Sequence, residues 1–324
     1  MKQVVIVGDA MADHLRIGRI TRQSPEAPDC PVVDLEEERW ELGGAANVAR
    51  WLAAVEGLMV TYFGQWPLRP ILERDRFEIL CSHANIIPDS TLCPDLGFLT
   101  TKERLIVREG NRLRHLARVD SDTTMKASEA RVATTLRRLR EGYPSAAAIV
   151  VADYDKGVFR GDAGCQLALG LSQIACERGV PLIVNSKVID RWRAVPVSCL
   201  ICNQDEFNRS ALASEFDDLT WVAGDAPWFA ADLVLVTLGA AGVRAYCRGG
   251  GVRGPRAQVR DFPSLAGRVE DVTGAGDAFL AGLACEWLRH GFLLTDLVGT
   301  GQHWAAVCCE QVGVGTPIGG RLDC

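Results

Sequence analysis

Two carboxylates bracket a glycine-rich tetrapeptide in the run Asp271–Leu288, DVTGAGDAFLAGLACEWL, which continues without a break into small and apolar residues. Glycines at a helix start let the backbone turn sharply and expose its N–H groups. Those first N–H groups have no partner inside the helix, and the helix dipole adds partial positive charge at the same end. An anion such as a phosphate fits there. Asp277 follows Gly274-Ala275-Gly276 directly. A lone carboxylate beside a bound phosphate repels it, so its presence calls for a purpose. The chemical purpose is a general base that takes the proton from a hydroxyl as that oxygen attacks phosphorus, while the N–H groups stabilise the transferring group. The structural alternative is an ordinary cap with Asp in the favourable first turn. The residues alone leave both open.

Other candidate patterns are weaker. Asn203-Gln204-Asp205-Glu206 follows a strand-like run and has the spacing of a capping box. The stretch Gly249–Gly254, GGGVRG, contains G-x-G-x-x-G, but Pro255 follows where a helix should start, so a dinucleotide reading fails its context. No phosphate loop with Gly-Lys-Ser/Thr is present. Twelve cysteines are scattered, most in apolar surroundings (Cys176, Cys285, Cys308, Cys309), as reduced core residues are. The one C-x-x-C, Cys199 to Cys202, lies in a strand-like run where residues three apart face opposite sides. The five histidines do not cluster, so no zinc site is expected.

The elements that must position these groups alternate. Val4–Ala10 is an apolar run ending in Gly-Asp, the pattern of a buried parallel strand. Ala45–Val55 has helical spacing, with Val48, Ala49, Leu52 and Val55 on one face. A strand follows at 58–64. The proline-bearing segment 65–97 reads as one irregular helix plus connections. Thr101–Asp120 reads as a hairpin turning at Glu-Gly-Asn. Then come a helix near 126–141, a strand (147–152), a helix (162–178), strands at 181–185 and 199–202, and a helix near 206–214. A strand (232–237), a β-pair (243–247 and 257–261) and two closing helices (275–289 and 294–309) complete the chain. Such alternation argues for a mostly parallel sheet covered on both faces, with ligands beyond the C-terminal strand ends. The β-rich insertions near 15–40 and 101–118 break the rhythm and could form a small second sheet over the site, a lid.

Composition narrows the function classes. The 324 residues carry a net charge of −6, and the isoelectric point is near 5.5, which argues against a nucleic-acid surface. The N-terminal apolar run is too short for a signal peptide, and no stretch reaches the ~18 apolar residues of a membrane span. A cytoplasmic protein with no membrane partner is expected.

DVTGAGDAF resembles the C-terminal signature of the ribokinase-like (PfkB) carbohydrate kinases, and ELGGAANVARWLAAVEG resembles their N-terminal glycine signature. The similarity covers nearly the whole chain in order. Thr21–Ala49, with TKERLIVREGNRLRHLARVD and VVADYDKGVF, is similar to the bacterial heptose-7-phosphate kinases, which make a heptose 1,7-bisphosphate for the lipopolysaccharide inner core. Those enzymes are often fused to a C-terminal adenylyltransferase domain, and a stand-alone kinase is expected here. The resemblance implies an α/β fold, a three-layer αβα sandwich in one domain over 1–324, with lid insertions at about 14–41 and 98–120. It implies ATP and Mg²⁺ as cofactors, a small phosphosugar as substrate, and a homodimer. It makes Asp277 the base and Gly274, Ala275 and Gly276 the anion hole. Asn203 and Glu206 would organise Mg²⁺ and phosphates through water, with Lys187, Thr237, Gly239 and Gly242 at the nucleotide. Asp13, Gly43, Gly44 and Asn47 match positions that hold sugar hydroxyls. Lys102, Arg104, Lys156 and Arg118 are candidates for the sugar phosphate, and Asp153 lies with Lys156 at a strand's end on the same sheet edge. The chain departs from the family pattern at Asn185-Ser186-Lys187, which keeps the lysine of Asp-Pro-Lys and lacks the acid. It departs again at Gly64-Gln65, where an Asp is usual.

Overall fold

Runs of β-branched residues build the centre of the main sheet. In β1 (Lys2–Gly8), Val4 and Ile6 enter the core on one face while Val5 and Val7 enter the core on the other, the alternation that a strand buried on both sides requires. The structure is a computed structural model describing residues 1–65, 71–93, 99–110, 112–122, 126–211, 213, 230–248 and 258–315. On one side β1 pairs in parallel with β4 (Leu58–Gln65), which pairs with β5 (Ile86–Cys93). On the other it pairs with β8 (Ala146–Asp153), followed by β9 (Leu182–Ser186), β10 (Cys199–Asn203) and β11 (Leu233–Thr237), all parallel. Two antiparallel strands, β12 (Val243–Cys247) and β13 (Gln258–Phe262), close that edge of the sheet, which has nine strands among the described residues.

Helices cover both faces. The helices α1 (Ala45–Ala53), α2 (Ile71–His83), α6 (Ala275–His290) and α7 (Leu294–Cys309) pack on the face with Val4 and Ile6. There Trp51 and Trp304 meet at 5.7 Å between ring centroids. The helices α3 (Glu129–Gly142), α4 (Gly161–Arg178) and the short α5 (Gln204–Arg209) pack on the opposite face. Cys199 and Cys202 fall on opposite faces and are buried as free thiols, so the C-x-x-C is core.

A second sheet stands apart. In it β2 (Ala10–Gln23) lies between β3 (Pro31–Gly44), antiparallel to it, and β6 (Thr100–Glu109), parallel to it; β7 (Arg112–Ser121) completes the order β3-β2-β6-β7. Leu15, Ile17 and Ile106 form its own small core. Only Asp9 separates β1 from β2, so the chain passes straight from the main sheet into the lid. These layers agree with the α/β sandwich and the small lid sheet expected from the sequence.

Three local expectations change. Segment 65–97 holds a strand, β5, besides its helix; Pro88 hid it, and the outermost place in the sheet tolerates a proline. The helix expected near 206–214 spans Gln204–Arg209, with Ser210 as its C-cap. Cys176 is exposed on α4 despite its apolar neighbours in sequence. Pro67, Pro70, Pro94, Asn111, the 214 end of that expected helix and the glycine run 249–254 lie outside the described residues. Among the described residues, no helix is long and apolar enough to cross a membrane.

Candidate active site

The first turn of α6 lies beyond the C-terminal ends of β8, β10 and β11, with the lid sheet facing it. Gly274 is the N-cap in the left-handed conformation, φ 80°; a Cβ there would stand 2.8 Å from the Val314 carbonyl oxygen. Both facts require glycine. Asp277 is the acidic residue in the first turn of α6. Its Oδ2 accepts from Asn47 Nδ2 at 2.8 Å, and its Oδ1 accepts from the Tyr154 hydroxyl. The carboxylate is 5% exposed. Burial pushes its pKa up to about 6, against the pull of the Tyr154 and Asn47 donors and of Lys102. Tyr154 is raised well above the usual phenol range, by burial first and then by Asp277, so its hydroxyl stays a donor.

Two cavities meet at this turn. A polar one of about 320 Å³ is lined by Asp13, Lys102, Arg104 and Arg118 from the lid, by Tyr154, Lys187, Asn203 and Glu206 from the strand ends, and by Gly274, Gly276 and Asp277. A more apolar one of about 590 Å³ is lined by Gly239–Val243, Pro263–Ala266, Ala275, Ala305 and Cys309. Thr237, Val272, Gly276 and Phe279 border both. The arrangement can hold a nucleoside in the apolar cavity and an acceptor in the polar one, with amide N–H groups and a buried carboxylate between them.

Charges in the polar cavity are largely matched. Arg104 donates to Asp13 Oδ1, both side chains nearly buried. Gly43 permits this placement, because a Cβ there would stand 2.2 Å from Asp13 Oδ2. Lys187 Nζ is 2.5 Å from Glu206 Oε1. Asn203 and Glu206 form the reciprocal capping box at the start of α5. Lys102 differs: among the described residues no carboxylate lies within ion-pair distance of it, and burial lowers its pKa although Asp13 and Asp277 pull it up. Its Nζ stands 5.9 Å from the centroid of the Tyr154 ring, with Lys187 Nζ at 5.7 Å from the same ring.

The comparisons agree with this geometry. Residues 159–319 match the pfkB family carbohydrate kinase model. The chain is 31% identical over 327 residues to the Bifunctional protein HldE of Paramagnetospirillum magneticum, covering 98% of this chain and 62% of that one. It is 32% identical over 320 residues to the protein of the same name from Methylococcus capsulatus, covering 97% and 61%. Residues 159–319 of the chain form a pfkB family carbohydrate kinase region. Its fold is ribokinase-like: Arabidopsis thaliana ribokinase complexed with ribose and ATP superposes with a TM-score of 0.63 at 15% identity, over 97% of this chain and 94% of that one. The chain spans about three fifths of the length of the curated relatives it matches.

Most residues singled out from the sequence converge here. Asp13, Gly44, Lys102, Arg104, Lys187, Asn203, Glu206, Thr237, Gly274, Gly276 and Asp277 line the polar cavity, and Gly239, Gly242 and Ala275 line the apolar one. Asn47 and Gly43 act from behind, through Asp277 and Asp13. Asp153 and Lys156 do not join them. Asp153 Oδ2 accepts from Ser186, Arg191 and Trp192 at 2.6 to 3.1 Å, an internal hub. Lys156 reaches Asp122 at 2.5 Å. A strand's end aims the backbone at the site, but these side chains found partners within the fold. Tyr154, Asp9 and Arg50 were missed. Tyr154 directly follows Asp153 at the strand end, and that position was its only signal. Asp9 accepts from the N–H groups of Tyr154, Lys156 and Val158 at 2.9 to 3.1 Å, so it shapes the loop that carries Tyr154.

Proposed function

We propose that the chain transfers the γ-phosphoryl group of ATP to the anomeric hydroxyl of a heptose 7-phosphate. The observation that carries this reading is Asp277, a buried carboxylate in the first turn of α6 where a polar and an apolar cavity meet. Asp277 takes the proton of the acceptor hydroxyl, the sugar oxygen forms a bond to Pγ, and the bond from Pγ to the bridging oxygen breaks with its electron pair leaving on ADP. The N–H groups at Gly274 and Gly276 stabilise the charge of the group in transit; that of Ala275, expected to join them, instead donates to the Val272 carbonyl at 3.2 Å. Asp13 and the backbone at Gly44 hold sugar hydroxyls, and Lys102, with Arg104 and Arg118, holds the phosphate at the far end of the sugar. An unmatched lysine in a partly buried wall is what a second anion on the acceptor requires. The preference for a heptose rests on the resemblance of Thr21–Ala49 to the heptose-7-phosphate kinases, supported by the HldE relatives.

Among the described residues, no three His, Cys, Asp or Glu side chains converge on a cation. Both oxygens of Glu206 are already engaged by Lys187 and Asn203. That donor set fits Mg²⁺ held by nucleotide phosphates and its own water, with Asn203 and Glu206 reached through water. Bound there, the ion supplies charge neutralisation on the phosphates.

The test is ADP release by purified protein across free and phosphorylated sugars. Release should depend on added sugar and be fastest with a heptose 7-phosphate. A preference for an unphosphorylated sugar would remove the role given to Lys102. No sugar-dependent release with any acceptor would end the kinase reading.

A further inference from the structure

We infer that Arg50 is a positioning residue for the base: its guanidinium fork fixes the side-chain amide of Asn47 so that the NH₂ group, and not the oxygen, faces Asp277. The inference rests on the reading of Asp277 as the proton acceptor and adds to the site a residue outside both cavities. Asn47 is fully buried in the first turn of α1. Arg50 lies three residues later, on the same helix face. Its Nε and Nη2 both donate to Asn47 Oδ1, at 3.1 and 2.7 Å. With both acceptor sites of that oxygen occupied, Nδ2 is the group left to meet Asp277 Oδ2. A buried amide without this fork could turn its oxygen toward the carboxylate, setting two acceptors against each other.

The fork is itself anchored. Arg50 Nη2 also donates to the carbonyls of Val314, at 3.2 Å, and Gly315. That turn stands against Gly274, and Glu41 of β3 accepts from Val314 N at 3.0 Å. One guanidinium therefore joins the base's orienting amide to the turn that backs the anion site. Lysine could not replace it, since a single ammonium cannot present two parallel donors in one plane.

The groups facing Asp277 are Asn47 from α1, Tyr154 from the β8–α4 loop, Lys102 from β6, Asp13 from β2 and Cys308 from α7, with Arg50 behind Asn47. Burial first, then Asp277, raises the Cys308 thiol, which stays neutral. Because the substrate phosphate titrates in the same range, the donors on Asp277 are read from the difference between the acid limbs of wild type and variant, in which the substrate's own titration cancels.

The experiment compares wild type, Arg50→Met, Arg50→Lys, Asn47→Ala and the Arg50→Met/Asn47→Ala double variant. ADP release is measured with ATP, Mg²⁺ and D-glycero-D-manno-heptose 7-phosphate between about pH 5 and 9. Arg50→Met should lower kcat by about ten- to a hundredfold with little change in KM for ATP, and should move the acid limb of kcat/KM upward. Arg50→Lys should recover little of the rate. In the Asn47→Ala background, Arg50→Met should change kcat less than about twofold, while Tm falls in both backgrounds from the lost contacts to Val314 and Gly315. An unmoved acid limb, full rescue by Arg50→Lys, or an undiminished effect of Arg50→Met without Asn47 would overturn the proposal. A second readout needs no turnover: with [¹⁵N]asparagine labelling, the Asn47 side-chain amide protons should exchange slowly in wild type and faster in Arg50→Lys. Equal exchange rates would also overturn it. A wild-type protein that turns over no sugar defeats the kinase reading and leaves this second readout to decide Arg50.

Discussion

Replacing Asp277 with asparagine removes the proposed proton acceptor while keeping its shape and its neighbours' hydrogen bonds. The new amide oxygen can accept from Asn47, and its NH₂ can donate to the Tyr154 oxygen, so neither partner is stranded. Loss of a general base costs about 10²–10⁴ in rate, roughly 3 to 5 kcal/mol of barrier at about 1.4 kcal/mol per decade. The pH dependence makes the test specific. Burial lifts the Asp277 carboxyl to about 6, so roughly nine in ten molecules carry the active carboxylate at pH 7 and about one in ten at pH 5. The group works ionised, so activity is present above about 6 and lost as pH falls through it. A sugar phosphate also titrates near about 6, so the quantity to plot is the ratio of wild-type to variant kcat/KM. That ratio should be flat above about pH 7 and fall tenfold per unit well below 6. The assay is coupled ADP release, with ATP affinity measured by calorimetry as the control for an intact site. Unchanged turnover, or a ratio that does not vary with pH, would refute the assignment of the base.

Three further outcomes follow from contacts around the same centre. Tyr154→Phe removes a donor to a charged acceptor, worth about 1.5–3 kcal/mol, so the acid limb should rise by about one to two units; an unshifted limb would show that the hydroxyl does not bear on the base. Lys102→Met should raise KM for the phosphosugar by about tenfold or more with KM for ATP little changed; equal changes in both would place Lys102 elsewhere in the reaction. Asp9→Asn sets an NH₂ group against at least one of the three N–H donors of the Tyr154–Val158 loop. It should destabilise the fold by about 1–3 kcal/mol, read as a Tm several degrees lower.

Local signals carried much of this fold. The apolar runs at 4–10, 147–152 and 232–237 could be read as strands because they are buried on both faces and bounded by turns. The hairpin at 101–120 showed itself through its central glycine, found at φ 61°. The strand at 86–93 was illegible because Pro88 contradicts a central strand, and the order of strands that makes it an edge is a property of the whole sheet. The site divided in the same way. Asp277 and the Asn203–Glu206 box announce themselves over four to seven residues. The contacts Asn47–Asp277 and Arg104–Asp13 span 230 and 91 residues of sequence. Periodicity carries no information about contacts that distant. Asp153 and Lys156 show the converse error, since a polar residue at a strand's end was read as aimed at ligand when its partners lay within the fold.

What the site resolves is a conflict between two demands on one carboxylate. To take a proton near neutral pH its pKa must be raised, and burial does that. To receive the proton at the right oxygen it must also be held, and each donor that holds it lowers the pKa again. Asn47 and Tyr154 take one oxygen each, while Lys102 and Asp13 approach from the lid with opposite effects on its charge. Because the holding donors sit on the sandwich and the opposing pair sits on the lid, orientation and proton affinity are set by different layers. A lid shift that carries Lys102 and Asp13 together removes a lowering and a raising influence at once.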